Sequence, residues 1–293
     1  MTNTTNYGLR KPEKQDPVDI ADLNYNADAI DAAMHENRTT RADLKLSNLD
    51  TAQEALANLG AEVRRNLLCN GCFTGGGSQK GEGALPINQR GAVLYTGGYT
   101  MDGWKLSGGT LAIKEDCVEV EAPAEALVTL ECAVEAPAQY SGRTLTLSAL
   151  AERVSGTEYC YITNIFDTYK KDAAIPDGKG VCALTDTAGT LSAALKFVFV
   201  CGKGCKIRLY AAKLEEGEVQ TLSWRDASGR PQLFAGPEYG KALAACQRYF
   251  QLYSAADQRP ERAVDCRPVM RIDPTPGTVR IGEVTYYTNS AEL

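Results

Sequence analysis

From residue 67 to about 222, apolar and polar residues alternate with a period of two. Val128, Leu130, Cys132 and Val134 interleave with Thr129, Glu131, Ala133 and Glu135. Leu145, Leu147 and Ala149 interleave with Thr144, Thr146 and Ser148, and Tyr159, Tyr161, Thr163 and Ile165 oppose Cys160, Ile162, Asn164 and Phe166. Leu195, Phe197 and Phe199 precede a Gly202-Lys203-Gly204 turn, with Ile207, Leu209 and Ala211 beyond it. Successive strand side chains point to opposite faces, so each run offers one face to a core and one to water. Short strands split by Gly, Pro and Asp turns predict a mainly β fold, an antiparallel β-sandwich of jelly-roll-like kind. Glu115, Asp116, Glu119, Glu121, Glu125, Glu131 and Glu135 are expected at outward positions that discourage edge-to-edge pairing.

Ahead of this region the period lengthens. Leu23, Ala27, Ile30 and Met34 recur at helical spacing and form one apolar stripe within residues 1–40. A second stripe, Leu49, Ala52, Leu56, Leu59 and Val63, keeps the a/d spacing of a coiled coil through residues 41–66. It covers only about two heptads, too short to stand as a lone helix. Either the helix packs on its own domain, or copies of the chain cover one another; self-association is the reading adopted, as a helical stalk. Residues 223–293 are nearly balanced in charge and form a small C-terminal module. A helix is expected over Glu238–Tyr253 after Gly236-Pro237, and Val279, Ile281 and Val284 predict a closing hairpin or edge strand.

Composition then narrows the chemistry. The 293 residues carry 31 Lys and Arg against 37 Asp and Glu, a formal charge of −6. That balance argues against nucleic acid, which needs clustered Lys and Arg. No apolar run has the roughly 18 residues of a membrane span, and polar Met1–Arg10 does not read as a secretory signal. The chain is therefore expected to be made in a cytoplasm. The single histidine, His35, lies on a polar helical stretch and leaves little room for a His-based triad or metal site. Among ten cysteines, Cys69-x-x-Cys72 with Cys201-x-x-x-Cys205 is the one candidate four-thiolate zinc set. The alternative, free cysteines packed as small apolar residues, is the one adopted. No cofactor and no metal are expected. Gly75–Gly81 is not a phosphate loop, because Lys80 is followed by Gly81-Glu82-Gly83 and not by Ser or Thr.

Four stretches together resemble bacteriophage tail-fibre or receptor-binding proteins of the short-tail-fibre kind. They are Asn6–Pro12 leading into Asp22–Asp31; Leu46–Leu49 with Ala55–Gly60; Asn66–Phe73 with Pro86–Gly91 and Gly98–Trp104; and Ala211–Gly217 with Cys246–Phe250. Cys69, Cys72 and Gly103 depart from the family pattern, so no ligand contact is carried over. The resemblance implies a homotrimeric virion component. Its N-terminal segment, with Tyr7, Leu9, Leu23 and Ile30, would meet a phage tail or baseplate protein, while the sandwich faces the host surface.

Candidate ligand residues are few. Trp104, with Tyr99 and Asp102, is either a platform for a sugar ring or a core anchor beside a turn. Trp224 with Arg225, and the pair Tyr286-Tyr287, suit recognition if the C-terminal module is distal; its arginines would suit anionic glycans. The function expected is non-catalytic adhesion to a host surface polysaccharide. The alternatives are a structural baseplate or fibre connector that binds only virion proteins, and a capsule depolymerase built on paired carboxylates.

Overall fold

In a computed structural model of the chain, the structure describes residues 2–3, 9–11, 24–32, 34, 64–75, 85–166, 168–192, 194–226, 228–234, 237–253 and 268–292. The stripe at Leu49, Ala52, Leu56, Leu59 and Val63 lies outside them, as do Tyr7, Leu23, His35 and all but the first residue of the Gly75–Gly81 loop. The chain divides into two compact units, Met1–Ala61 with Arg225–Arg230, and Glu62–Trp224 with Pro231–Leu293.

In the first unit, β1 (Thr2–Asn3) pairs antiparallel with β2 (Arg10–Lys11), and residues 24–32 and 34 are helical. Asn26 clasps Arg10 at both ends: its Oδ1 accepts from the Arg10 amide at 2.6 Å and its Nδ2 donates to the Arg10 carbonyl at 3.0 Å. The Arg10 guanidinium sits 4.2 Å from the Tyr25 ring centroid. Leu9 is half-buried, whereas Ile30 and Met34 expose the helical stripe.

The second unit opens with β3 (Leu94–Tyr95), β4 (Gly98–Tyr99), β5 (Trp104–Leu106), β6 (Thr110–Ile113), β7 (Val118–Glu121) and β8 (Val128–Ala133). The long strands follow: β9 (Thr144–Ser155), β10 (Tyr161–Phe166), β11 (Thr168–Ala174), β12 (Gly180–Thr187), β13 (Leu195–Cys201) and β14 (Lys206–Glu216). They form two antiparallel six-stranded sheets, β11-β10-β13-β8-β5-β4 and β12-β9-β14-β7-β6-β3. The inner faces share one core, with Trp104, Leu130, Phe197 and Phe199 from the first sheet meeting Leu111, Leu147, Leu209 and Leu214 from the second. The period-two pattern thus yields a mainly β, sandwich-like fold.

Two local readings change. A register shift between Leu209 and Ala211 turns Ala211 to the outside and puts Ala212 in the core, which simple alternation cannot reveal. Glu119 and Glu121 are not edge guards. They lie on the interior strand β7 and meet Arg208 at 2.9 Å and Lys206 at 3.0 Å on β14.

The outer face of the second sheet is covered. Leu150, Tyr210 and Ala211 pack with Leu222. Lys213 and Glu215, which alternate with Leu214, therefore lie buried at 4% and 0% exposure. Their charges meet at 3.2 Å; Lys213 Nζ donates to the Thr221 carbonyl at 3.0 Å, and the Thr221 amide donates to Glu215 Oε1 at 2.6 Å. Burial lowers the Lys213 pKa while Glu215 supports its charged form. The Lys-Leu-Glu alternation is thus a clasp for the segment that folds over this face.

Beyond it, β15 (Ser223–Arg225) and β16 (Pro231–Leu233) form a two-stranded ribbon. The expected helix is shorter, Tyr239–Gln247, and its aromatic continuation becomes β17 (Phe250–Tyr253). That strand joins β18 (Thr275–Ile281) and β19 (Val284–Ser290), the predicted hairpin, which turns at Gly282 with φ of 60°. Pro276 sits on the edge strand β18, where a missing N–H breaks no ladder.

Candidate functional site

Within the second unit, the stretches 66–73, 86–91, 98–104 and 211–217 meet through buried polar side chains. Asn66 Nδ2 donates to the Ala212 carbonyl at 2.9 Å, and its Oδ1 accepts from the Leu214 amide at 3.1 Å. Asn70 donates to the carbonyls of Ile87 and Asp102, and accepts from the Ile87 amide at 2.9 Å. Gln89 Nε2 donates to Asp102 Oδ2 at 2.7 Å and to the Phe250 carbonyl at 2.8 Å. Arg90 joins two carboxylates, Asp102 Oδ1 at 3.3 Å and Glu292 Oε2 at 2.5 Å, and its guanidinium lies 3.9 Å from the Phe250 ring centroid. Burial pushes the Asp102 carboxyl up to about 7 against the pull of Arg90. Burial raises Glu292 as well. These residues fasten the C-terminal strands to the sandwich; the motif is a joint.

Trp104 belongs to the same joint. It is fully buried, its Nε1 donates to the Asn70 carbonyl at 2.7 Å, and its ring meets Phe73 edge-on with centroids 5.4 Å apart. No ring face remains for a ligand, so Trp104 is the core anchor and not a sugar platform. Asp102 is equally inaccessible. Of that trio only Tyr99 keeps a partly exposed side chain. Trp224 is half-buried, and Arg225 is exposed and donates to the Gly229 carbonyl at 3.0 Å. Tyr286 and Tyr287 do not form a pair, because neighbours on β19 point to opposite faces; Tyr287 is the more exposed.

The cysteines regroup as well. Cys69 groups with Cys132 and Cys246, the Cys246 Sγ lying 3.8 Å from the Cys69 carbonyl, and Cys160 groups with Cys205 and with Cys201, whose Sγ is 3.2 Å from the Cys205 carbonyl. The four-thiolate set Cys69, Cys72, Cys201 and Cys205 is therefore not assembled, and no cluster among the described residues has metal-binding geometry.

A different surface gathers recognition chemistry: the outer face of the β11-β10-β13-β8-β5-β4 sheet. Strand register aligns Tyr99, Lys105, Glu131, Val198, Thr163 and Asp172 in one row across six strands. Flanking rows carry Tyr161 beside Val200, and Ile165 beside Lys196. The middle of the face is closed, with Val198, Val200 and Thr163 at 5% exposure or less. Around it Tyr99, Lys105, Glu131, Tyr161 and Lys196 keep surface in solvent. Glu131 pairs with Lys196 at 3.0 Å, and Lys105 Nζ lies 5.5 Å from the Tyr99 centroid. Tyr161 stacks on Tyr159 at 5.0 Å and 24°. Tyr99 and Tyr161 stand four strands apart, about 19 Å at the usual strand spacing. At the Tyr99 end, Lys105, Glu131, Tyr249 and Glu292 line an indentation of about 10 Å³, room for about one water. Glu292 Oε1 is buried there without a hydrogen-bond partner among the described residues. Period-two alternation marked Tyr161 and Glu131 as candidates for one face or the other, but the row exists only through the strand order.

No family model and no curated protein matches the chain. Among solved structures it is similar to a protein described as "CBM4 structure and function", at 12% identity over 42% of this chain and 85% of that one, TM-score 0.30. It is similar to the CBM22-1 xylan-binding domain from Paenibacillus barcinonensis Xyn10C, at 9% identity over 54% and 100%, TM-score 0.30. A third is the enzymatically active domain of bacteriophage CBA120 tailspike protein 4, at 13% identity over 42% of this chain and 19% of that one, TM-score 0.28. Likenesses of this size assign neither site nor ligand here.

Proposed function

We propose that this chain is an adhesion protein of the phage tail-fibre kind that holds a host surface polysaccharide across the outer face of the β11-β10-β13-β8-β5-β4 sheet. The observation that carries the reading is the face itself: two tyrosines, two lysines and Glu131 keep surface in solvent around a closed centre of Val198, Val200 and Thr163, in rows that extend across the strands. Aromatic faces suit the apolar faces of sugar rings, and the charged rim suits hydroxyl or carboxylate groups. A face whose indentation at the Tyr99 end has room for about one water binds weakly, so several linked copies would supply the strength a single site lacks. The stripe at residues 49–63 is the proposed means of making three copies, and residues 1–40 the proposed link to the tail.

The action proposed is binding without bond cleavage. Glycoside hydrolysis needs two carboxyls flanking a reachable sugar bond, whereas the two at the indentation are each held by a cation, Glu131 by Lys196 and Glu292 by Arg90. The connector reading keeps support from exposed Val269, Ile272 and Val284 in the C-terminal region, apolar groups suited to a protein neighbour.

A glycan array and host-strain polysaccharide, probed with the intact protein, test the proposal. Tyr161→Ala and Lys105→Ala are each expected to weaken binding about tenfold, the scale of one lost aromatic or charged contact, with melting shifted by only a few degrees. Binding that survives both substitutions would move the site elsewhere. Silence towards every host polysaccharide would favour the connector, and released reducing ends would favour the depolymerase.

A further inference from the structure

Cys160, Cys201 and Cys205 form a cluster of three thiols at one end of the sandwich. Cys160 immediately precedes β10 and stands opposite Cys201 in the β10–β13 ladder, since Tyr161 pairs with Val200. Facing positions in an antiparallel pair hold their Cα atoms about 4.5–5.5 Å apart, within the span of a disulfide. Both side chains point into the core. Cys205 closes the group: its Sγ lies 3.4 Å from the Glu158 carbonyl, which Cys160 Sγ approaches at 3.7 Å. The Gly202 amide donates to Cys160 Sγ at 3.3 Å.

We propose that Cys160 is a peroxide-reactive thiol that closes a disulfide with one of its two thiol neighbours, Cys201 or Cys205, and so staples the end of the sandwich. The Cys160 thiolate attacks a peroxide oxygen, the O–O bond breaks and hydroxide leaves, giving a sulfenic acid. The neighbouring thiol sulfur then attacks that sulfur, the S–O bond breaks, and water leaves with the thiol proton. Two electrons pass from the two sulfurs to the peroxide.

The surroundings prepare Cys160 for the first step. Hydrogen bonds from Cys201, the Gly202 amide and Cys205, with the Arg153 charge nearby, draw its thiol down to about 6 against the effect of burial. Its neighbours are pushed the other way and remain protonated as donors. All three cysteines are at most 2% exposed, and the exposed turns at Gly156–Tyr159 and Lys203–Gly204 flank them, so the oxidant the proposal requires is a small one. Cys69, Cys132 and Cys246 form a second triad, joining the sandwich opening, β8 and the C-terminal helix.

The test exposes the reduced full chain to one equivalent of hydrogen peroxide, traps remaining thiols with N-ethylmaleimide, and maps the digest by mass spectrometry. The expected product is a peptide pair joining Cys160 to Cys201 or Cys205, two hydrogens lighter. It should form before any change at the half-exposed Cys72, vanish in Cys160→Ser, and persist in Cys72→Ser. Oxidation that begins at Cys72 or as intermolecular dimers, with the triad left reduced, overturns the proposal, as does an equal yield of Cys201–Cys205 linkage in Cys160→Ser. If Cys160→Ser fails to fold, the order of labelling by methyl methanethiosulfonate in the unmodified chain decides: Cys160 ahead of Cys72 supports it, the reverse refutes it.

Discussion

Asp102→Asn separates the burial of a carboxyl from its shape. Asp102 has no exposed surface, and its carboxyl is pushed from the ordinary 3.8 up to about 7, chiefly by burial. An acid whose folded value is raised holds its proton longer in the folded state. Its contribution to stability is therefore full below about pH 3.8 and lost as the pH rises past about 7. At pH 5 the folded carboxyl is about 100-fold on the protonated side while the unfolded one is ionised, a contribution of about 2.7 kcal/mol. At pH 8 it is near zero. Asparagine is neutral at both, so the stability of the parent chain minus that of Asp102→Asn should fall by about 2–3 kcal/mol between pH 5 and pH 8. Groups far from Asp102 titrate alike in both proteins and cancel. Urea unfolding at the two pH values, followed by fluorescence of buried Trp104, measures this directly. A difference that stays constant within about 0.5 kcal/mol would mean that Asp102 titrates alike folded and unfolded, and the argument from burial would fail.

Two further substitutions probe the clasps. Arg90→Met keeps the stem over Phe250 but strands Asp102 and Glu292; a loss of about 3–5 kcal/mol is expected, with early proteolysis within residues 268–292. Cleavage no faster than in the parent would detach Arg90 from the docking of those strands. Lys213→Met should cost a similar amount by leaving Glu215 buried and unpaired, while Lys213→Met with Glu215→Leu should recover most of it. Thermal melts of both variants check this, and a double variant no better than the single would sink the reading.

Much of the sandwich is legible residue by residue. Leu130, Cys132, Leu145, Leu147, Phe197 and Phe199 all face the core that their alternation predicts, because strand parity is a local property. The Gly202–Gly204 turn and the final hairpin at Gly282 are local in the same way. Ala211 fails the pattern because a bulge adds one residue without a sequence mark. Helix continuation past Gln247 fails because β19 recruits Phe250–Tyr253 as a strand partner.

The candidate site was less accessible to such reading. Tyr99, Lys105 and Glu131 come from three strands, and only the order in which those strands hydrogen-bond makes them a row. Trp104 reads as anchor or platform, with its place in the opening of the sandwich favouring the anchor, and Phe73, Phe197 and Phe199 around it decide for the anchor. The sequence by itself determined which residues alternate, where the chain turns, and that its charge disfavours a nucleic-acid partner. Only the tertiary structure decided which charged residues are buried and which cysteines meet. Both depend on segments far apart along the chain, such as Arg90 with Glu292 and Cys69 with Cys246, whose approach no local pattern encodes.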